Sequence, residues 1–475
     1  MVFITGTIVQ SRRSQTKAIT PPNGNARRDI VDRRPAHARM SITPPLKGDE
    51  FEIYICYSRT HLRPGAAIDL AMQNHRLDDL VTAGRYPTQT LTHKRMVDVS
   101  TTTNLFPLTL LSFATILYGI RHHISSTTHT GYTLHSTALQ TLNRTLSHPS
   151  CHTSDAVLLS VATLAILEAL VPTSPKAYLN HMLGLERLLQ LRDPTDSKYT
   201  SPLSLALYKS VRHMVLFAAL TTGRSCVLAR REWKAVLRGC CRGEEEGWEQ
   251  DLFDVLADCT VLGVGRDRLA GEVWGEEEGF RSLRDELLRR SLGLRAQLYV
   301  WKRRWESDER NVYVETRTIH RAFAPDVNPP TLTFFEFSNE SVAAMFMLYN
   351  TALIHVLHIL SSLSPQNPGT HHTEHPASPL FITQPTSAAH DLPPELRDPA
   401  RDEYIAAERS AALNICRCIP YYSACAPIHT SPVVHWAVKT AWTTLRRDEF
   451  AEGKAMTEYL RAESREVTAT VLWSG

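Results

Sequence analysis

The sequence predicts an all-α protein: a large bundle of packed antiparallel helices with a disordered N-terminal segment. Three observations carry this. From about residue 101 apolar residues recur at the helical period, and no strand alternation of any length interrupts them. Many of these periodic segments open on a capping or first-turn residue. Residues 1–50, by contrast, are rich in Arg, Pro, Thr and Asn and repeat ITPP at 19–22 and 42–45. So few large apolar side chains cannot offset the entropy of ordering the segment.

Composition sets the outer limits. A chain of 475 residues allows two or three folding units or one large helical one. Its 43% hydrophobic and 21% charged residues fit a soluble globular protein with polar segments. A net charge of +3 is too small to argue nucleic-acid binding, which needs basic residues gathered on one face. Nine cysteines, odd in number and irregular in spacing, read as free thiols in a reducing compartment.

Taken in order, the chain divides at about residue 100. The opening VFITG resembles a dinucleotide-binding strand, but SRRSQ stands where the glycines would have to be. MVFITGTIVQ also lacks the charged start of a secretory signal, so the sequons at Asn143 and Asn339 read as chance matches. Residues 51–100 offer one strand-like run, FEIYICY, and a short helix near 67–80. The whole of 1–100 is expected to be disordered or poorly structured, and 101–470 to form the helical domain.

Helices are expected near 104–124, 131–146, 153–171, 175–192, 201–222, 247–263, 278–306, 338–363, 397–418, 431–447 and 449–465. The first contains LFPLTLLSFATILYGI, 105–120, too short and too polar for a comfortable bilayer span and better read as a buried helix. Ser154-Asp155 opens the third, Pro172 ends it, and Ser174-Pro175 starts the fourth. GEEEG at 243–247 and 275–279 places negative charge before two later helices. Between 364 and 395 lies a Pro/Ser/His-rich stretch, read as a mobile surface loop.

Candidate chemistry is sparse. HHTEH, His371–His375, matches a metalloprotease pattern, with Glu374 in the place of the base. That chemistry needs both histidines on one rigid helical face, and the flanking NPGT and PASP argue for a polar loop. Cys416 and Cys418 would stand about 200° apart on a helix, which suits neither a shared zinc nor a redox pair. Cys240-Cys241 has no second pair nearby, and in GVGRDR, 263–268, Gly263 and Gly265 read as a helix cap and turn. No G-x-S-x-G elbow occurs, and an enzyme is not expected. WKRRWESDER, 301–310, could stack on nucleic acid. The better reading puts Trp301 and Trp305 on a core stripe with Leu294 and Leu298, and Lys302, Arg303 and Arg304 in water. ARRDIVDRRPAHAR, 26–39, reads equally as an import signal or as a solvated tail.

Two segments carry a family resemblance. TSDAVLLSVATLAILEALVPTSPKAYLNHMLGLERLLQLRDP, 153–194, resembles the C-terminal regulatory domain of fungal zinc-cluster transcription factors. The matching positions are His181, Gly184, Leu188, Leu189, Arg192 and Pro194, with Asp193 where glycine is usual. AALNICRCIPYYSA, 411–424, is similar to the family's helix ending in Ile-Cys-Arg-x-Ile-Pro-Tyr, through Cys416, Arg417, Pro420 and Tyr421. SPVVHWAVKTAWTTL, 431–445, is similar to its closing helix, so that the likeness runs over roughly 100–465.

The resemblance implies a nuclear transcription-regulator-like protein. Other transcription-regulatory proteins, a second copy of the chain or a small-molecule effector would be its partners, and no membrane. A helical scaffold without a transcriptional role, cytoplasmic in its placement, is the alternative. The family's six-cysteine DNA-binding run has no counterpart, since residues 1–100 contain only Cys56. No cofactor is expected, and zinc only if such a run precedes this sequence. Within YLNHMLGLERLLQLRDP, 178–194, His181 is expected to be a hydrogen-bonded seam residue, and Gly184 to admit a close backbone neighbour. Asp-Pro must end that helix without a glycine cap.

Overall fold

The computed structural model describes residues 50–60, 100–148, 151–174, 176–271, 277–318, 332–364, 401–425, 432–446, 448, 450 and 452–457. The 26–39 cluster, the helix expected at 67–80, HHTEH and the 364–395 loop beyond Ser364 lie outside the described residues.

The chain is all-α, apart from one two-stranded sheet. Its helices are α1 (Glu50–Arg59), α2 (Ser100–Arg121), α3 (Ser125–Leu146), α4 (Asp155–Leu170), α5 (Ala177–Gln190), α6 (Pro202–Thr221), α7 (Arg231–Gly239), α8 (Glu244–Gly271) and α9 (Glu277–Glu306). Strands β1 (Tyr313–Thr318) and β2 (Leu332–Phe337) follow, then α10 (Glu340–Leu363), α11 (Arg401–Cys425), α12 (Pro432–Leu445) and a helical segment at 452–457, within the helix expected at 449–465.

Local chemistry accounts for several boundaries. Ser154 caps α4 by accepting from the Val157 N–H at 3.4 Å. Ser201 caps α6 through the Ser204 N–H at 3.0 Å, with Pro202 in the first turn. Asn339 caps α10 by accepting from the Val342 N–H at 3.0 Å, which gives that sequon residue a structural role. Helix α5 departs from expectation. It starts at Ala177 without a side-chain cap, and Ser174 contributes only its carbonyl, to the Ala177 N–H.

Helices α2 and α3 cross at closest range. A methyl added at Gly119 would lie 2.5 Å from Thr128 Oγ1, and one at Gly131 would lie 2.8 Å from the Ile116 N. Two glycines one on each helix thus let the backbones meet. On its outer face α3 carries Thr130, Thr133, Ser136 and Thr137, each bonded back to the carbonyl four residues earlier. Helix α10 occupies the centre. It packs on α8, α9, α11, α12 and β2 and is buried nearly all round, which suits its uniformly apolar sequence. By length and composition Asn104–Arg121, Pro202–Thr221 and Glu340–Leu363 could each cross a membrane, yet most of each is buried within this domain.

Four expectations are corrected. FEIYICY is helical, because Phe51, Tyr54, Ile55 and Ser58 recur at the helical period and Tyr54 and Ile55 bury against α2. The sheet overturns the reading that no strand follows residue 100; β1 and β2 pair antiparallel from Tyr313↔Phe337 to Thr318↔Leu332. Each strand has only six residues, and no tight-turn signal joins them. Gly263 and Gly265 lie inside α8, not at its end. At Gly265 the reason is packing: a methyl there would lie 2.7 Å from Leu287 Cδ2 on α9. Finally, α11 runs through Pro420 to Cys425, leaving the Cys416 carbonyl without its usual helical donor.

Candidate functional site around the signature helix

Helix α5 places its apolar residues inward. Met182, Leu185, Leu188 and Leu189 are all buried, and the chain leaving the helix carries Arg192 into the core. One Arg192 Nη donates to Asp155 Oδ1 at 2.8 Å and to the Tyr208 hydroxyl at 3.0 Å. Its other Nη donates to the Thr153 carbonyl at 2.6 Å. The guanidinium also lies 5.1 Å from the Tyr199 ring centre and 5.7 Å from that of Tyr208. Ser204 donates to the second Asp155 oxygen at 2.7 Å, and Tyr208 to the Tyr199 carbonyl at 3.0 Å. One arginine thus ties the exit of α5 to the first turns of α4 and α6.

Asp193 resolves the missing glycine cap. Its carboxylate accepts from both the Thr195 N–H at 2.9 Å and the Thr195 hydroxyl at 2.7 Å, which makes an Asx turn and holds its pKa below the usual value. Pro194 behind it is buried. Gly184 differs from expectation: a methyl there would meet nothing nearer than Val161 Cγ1 at 4.0 Å, so no close approach requires the glycine. His181 differs too. Its ring makes no hydrogen bond to protein among the described residues. Burial, then the neighbouring His135, lowers its pKa to about 4, so the ring is neutral.

The second signature segment lies against the centre. Cys416 is fully buried, and desolvation pushes its thiol pKa up to about 12, which leaves it inert. Arg417 pairs with Glu452 at 2.8 Å and donates to Asn414 Oδ1 at 3.4 Å. Tyr421, directly after Pro420, packs its ring edge-on to Phe337 of β2, 5.4 Å between centres.

Trp301 and Trp305 are buried with Leu294 and Leu298, as their spacing predicts. Lys302 is not in water, however, which corrects the sequence reading. Its ammonium stands 4.9 Å from the Trp305 ring, 5.1 Å from Tyr313, 4.5 Å from Phe346 and 5.4 Å from Tyr349, paired with Glu306 at 2.8 Å. Desolvation lowers its pKa, with Glu306 opposing. The strand that supplies Tyr313 was invisible in the sequence, so this enclosure was too. Arg303 and Arg304 do face solvent, and Arg304 pairs with Glu244 at 2.7 Å.

Asp155, Thr153, Ser204, Tyr208 and His135 are the residues that sequence reasoning missed. Asp155 was legible only as a first-turn acid, and nothing local marks its partners. Among the described residues no group of three or more His, Cys, Asp or Glu side chains converges as a metal site would, and Cys56, Cys151, Cys226, Cys240, Cys241, Cys259, Cys416 and Cys418 are free.

The family model described as the fungal specific transcription factor domain matches residues 105–393, which include the α5 signature and the central helix. An uncharacterized protein of Emericella nidulans is 36% identical over 103 residues, 22% of this chain. The chain spans 22% of the length of that curated relative. No solved structure matches.

Proposed function

Because the chain belongs to the family of fungal-specific transcription factor domains, we propose that it serves as the regulatory domain of a nuclear transcription regulator and is not an enzyme. The family match over 105–393 is the observation that carries this reading. The folding of both signature segments into one core agrees with it, because Arg192 and Cys416 are each buried among helices of the matched region or directly beside it.

The domain acts by presenting a surface or a binding site to partners. With only Cys56 among residues 1–100, this stretch of chain has no thiolate set for a zinc cluster, and DNA affinity is expected to be non-specific and lost with added salt. The test tethers the full chain to a heterologous DNA-binding module upstream of a reporter. A several-fold change in reporter output over the module alone is expected, together with nuclear accumulation of a tagged chain that weakens when residues 26–39 are deleted. An unchanged reporter with a cytoplasmic chain would instead favour a helical scaffold.

A further inference from the structure

Across from α5, on α3, His135 is only 9% exposed, and its Nδ1 has no hydrogen-bond partner. It lies close enough to His181 that a charge on one ring disfavours a charge on the other. Tyr178 stands one turn before His181 on α5. Neither the Tyr178 hydroxyl nor the His181 ring makes a hydrogen bond to protein among the described residues.

From Tyr178 a row of rings continues inward. Phe217 of α6 lies 6.4 Å from Tyr178, Trp436 of α12 lies 6.2 Å from Phe217, and His355 of α10 lies 6.3 Å from Trp436. The far end repeats the near one, for His355 Nε2 is also buried without a partner. Buried polar atoms of native proteins are nearly always satisfied, so an unpartnered nitrogen at each end of one aromatic wall asks for a ligand or ordered water.

The groups along this wall carry no charge at neutral pH. Burial lowers the pKa of His135, and lowers those of His181 and His355 to about 4. Burial also raises that of Tyr178. A site built this way has flat apolar faces and hydrogen-bonding ends, with Arg266 standing near the His355 end alone.

We propose that the wall running from His135 and His181 past Tyr178, Phe217 and Trp436 to His355 binds a small, neutral, planar aromatic molecule bearing a hydrogen-bonding group. The proposal does not depend on the transcriptional role. A scaffold protein would keep the site, and a silent reporter leaves the binding result unaffected.

The probe is indole, with anionic indole-3-acetate and cationic tryptamine as matched controls, titrated into the full chain by calorimetry. Indole should bind saturably and raise the Tm, and both charged controls should bind at least about tenfold more weakly. His135→Leu should weaken indole by roughly tenfold, the order expected for one lost hydrogen bond. Tyr178→Phe, which removes only a hydroxyl, guards against a folding failure in that variant and should weaken indole as well. On unmodified chain, indole should move the imidazole nitrogen NMR signals of His135 and His181. Absence of saturable binding, equal binding of all three probes, or unmoved histidine signals would overturn the proposal and leave ordered water as the occupant.

Discussion

Arg192 and Asp155 form an ion pair 2.8 Å long, with the arginine side chain wholly buried and the aspartate at the first turn of α4. The pair joins residues 37 apart in sequence. The same arginine continues to Tyr208 and the Thr153 carbonyl. Removing one member of a buried pair leaves the other charged and desolvated, a loss of about 3–5 kcal/mol. Arg192→Ala should therefore lower stability by roughly that amount. Asp155→Asn should cost a similar amount, because it leaves the wholly buried Arg192 cation without its counter-charge. Urea unfolding checks both; a loss below about 1 kcal/mol for Arg192→Ala would mean that the clamp is not integral to the fold.

Gly119 and Gly184 should respond to the same substitution in opposite ways. At Gly119 an added methyl overlaps Thr128, including its backbone N at 2.6 Å, so α2 and α3 must separate. Gly119→Ala is expected to cost about 1–3 kcal/mol. At Gly184 the nearest neighbour is at ordinary contact distance, so Gly184→Ala should stabilise by up to about 1 kcal/mol through helix propensity. Thermal melts of the two variants decide. Equal shifts of the same sign would contradict the crossing geometry.

Lys302 latches α9 to β1 and α10 through its rings and Glu306. Lys302→Met keeps the stem but removes the charge, and should cost roughly 1–2 kcal/mol. Amide exchange over 313–318 should quicken more than over α4. Exchange left unchanged in β1 would show that the strand is held by its apolar face alone.

Acid should weaken the fold through its neutral histidines. His181, beside His135, and His355, facing His358 and Arg266, both have folded-state pKa values near 4, against about 6.5 in an unfolded chain. The unfolded chain then binds more protons, so their contribution is complete above about pH 6.5 and is lost as pH falls towards 4. The urea midpoint should hold steady from pH 8 to 7 and fall between pH 6.5 and 4.5. His181→Leu should flatten part of that slope. A midpoint constant across the window would mean that these rings are not neutral in the fold.

The helical architecture was readable because its helices are long and strongly periodic. Trp301, Trp305, Leu294 and Leu298 spelled out a buried stripe in advance, and Ser154 announced the start of α4. What stayed hidden depended on partners far along the chain. Lys302 looked like a solvated charge because Tyr313, Phe346 and Tyr349 are brought over it only by the hairpin and α10. Gly184 looked like a crossing point because glycine in a helix suggests one, whereas the real crossing uses Gly119 and Gly131. FEIYICY satisfied both periods over so short a run that its packing on α2, with the Tyr54 and Tyr118 rings 4.7 Å apart, decides for helix. His135 gave no local signal at all, since its significance lies in having no partner.

The position of α10 has an evolutionary consequence. Side chains on Glu340–Leu363 are enclosed by four other helices and a strand between them, so a change there has to be matched by a neighbouring element. Relatives should therefore diverge most slowly there, and most freely along the outward threonines and serines of α3, where each hydroxyl answers only to its own helix. An alignment of family members in which α3 changed more slowly than α10 would contradict this ordering.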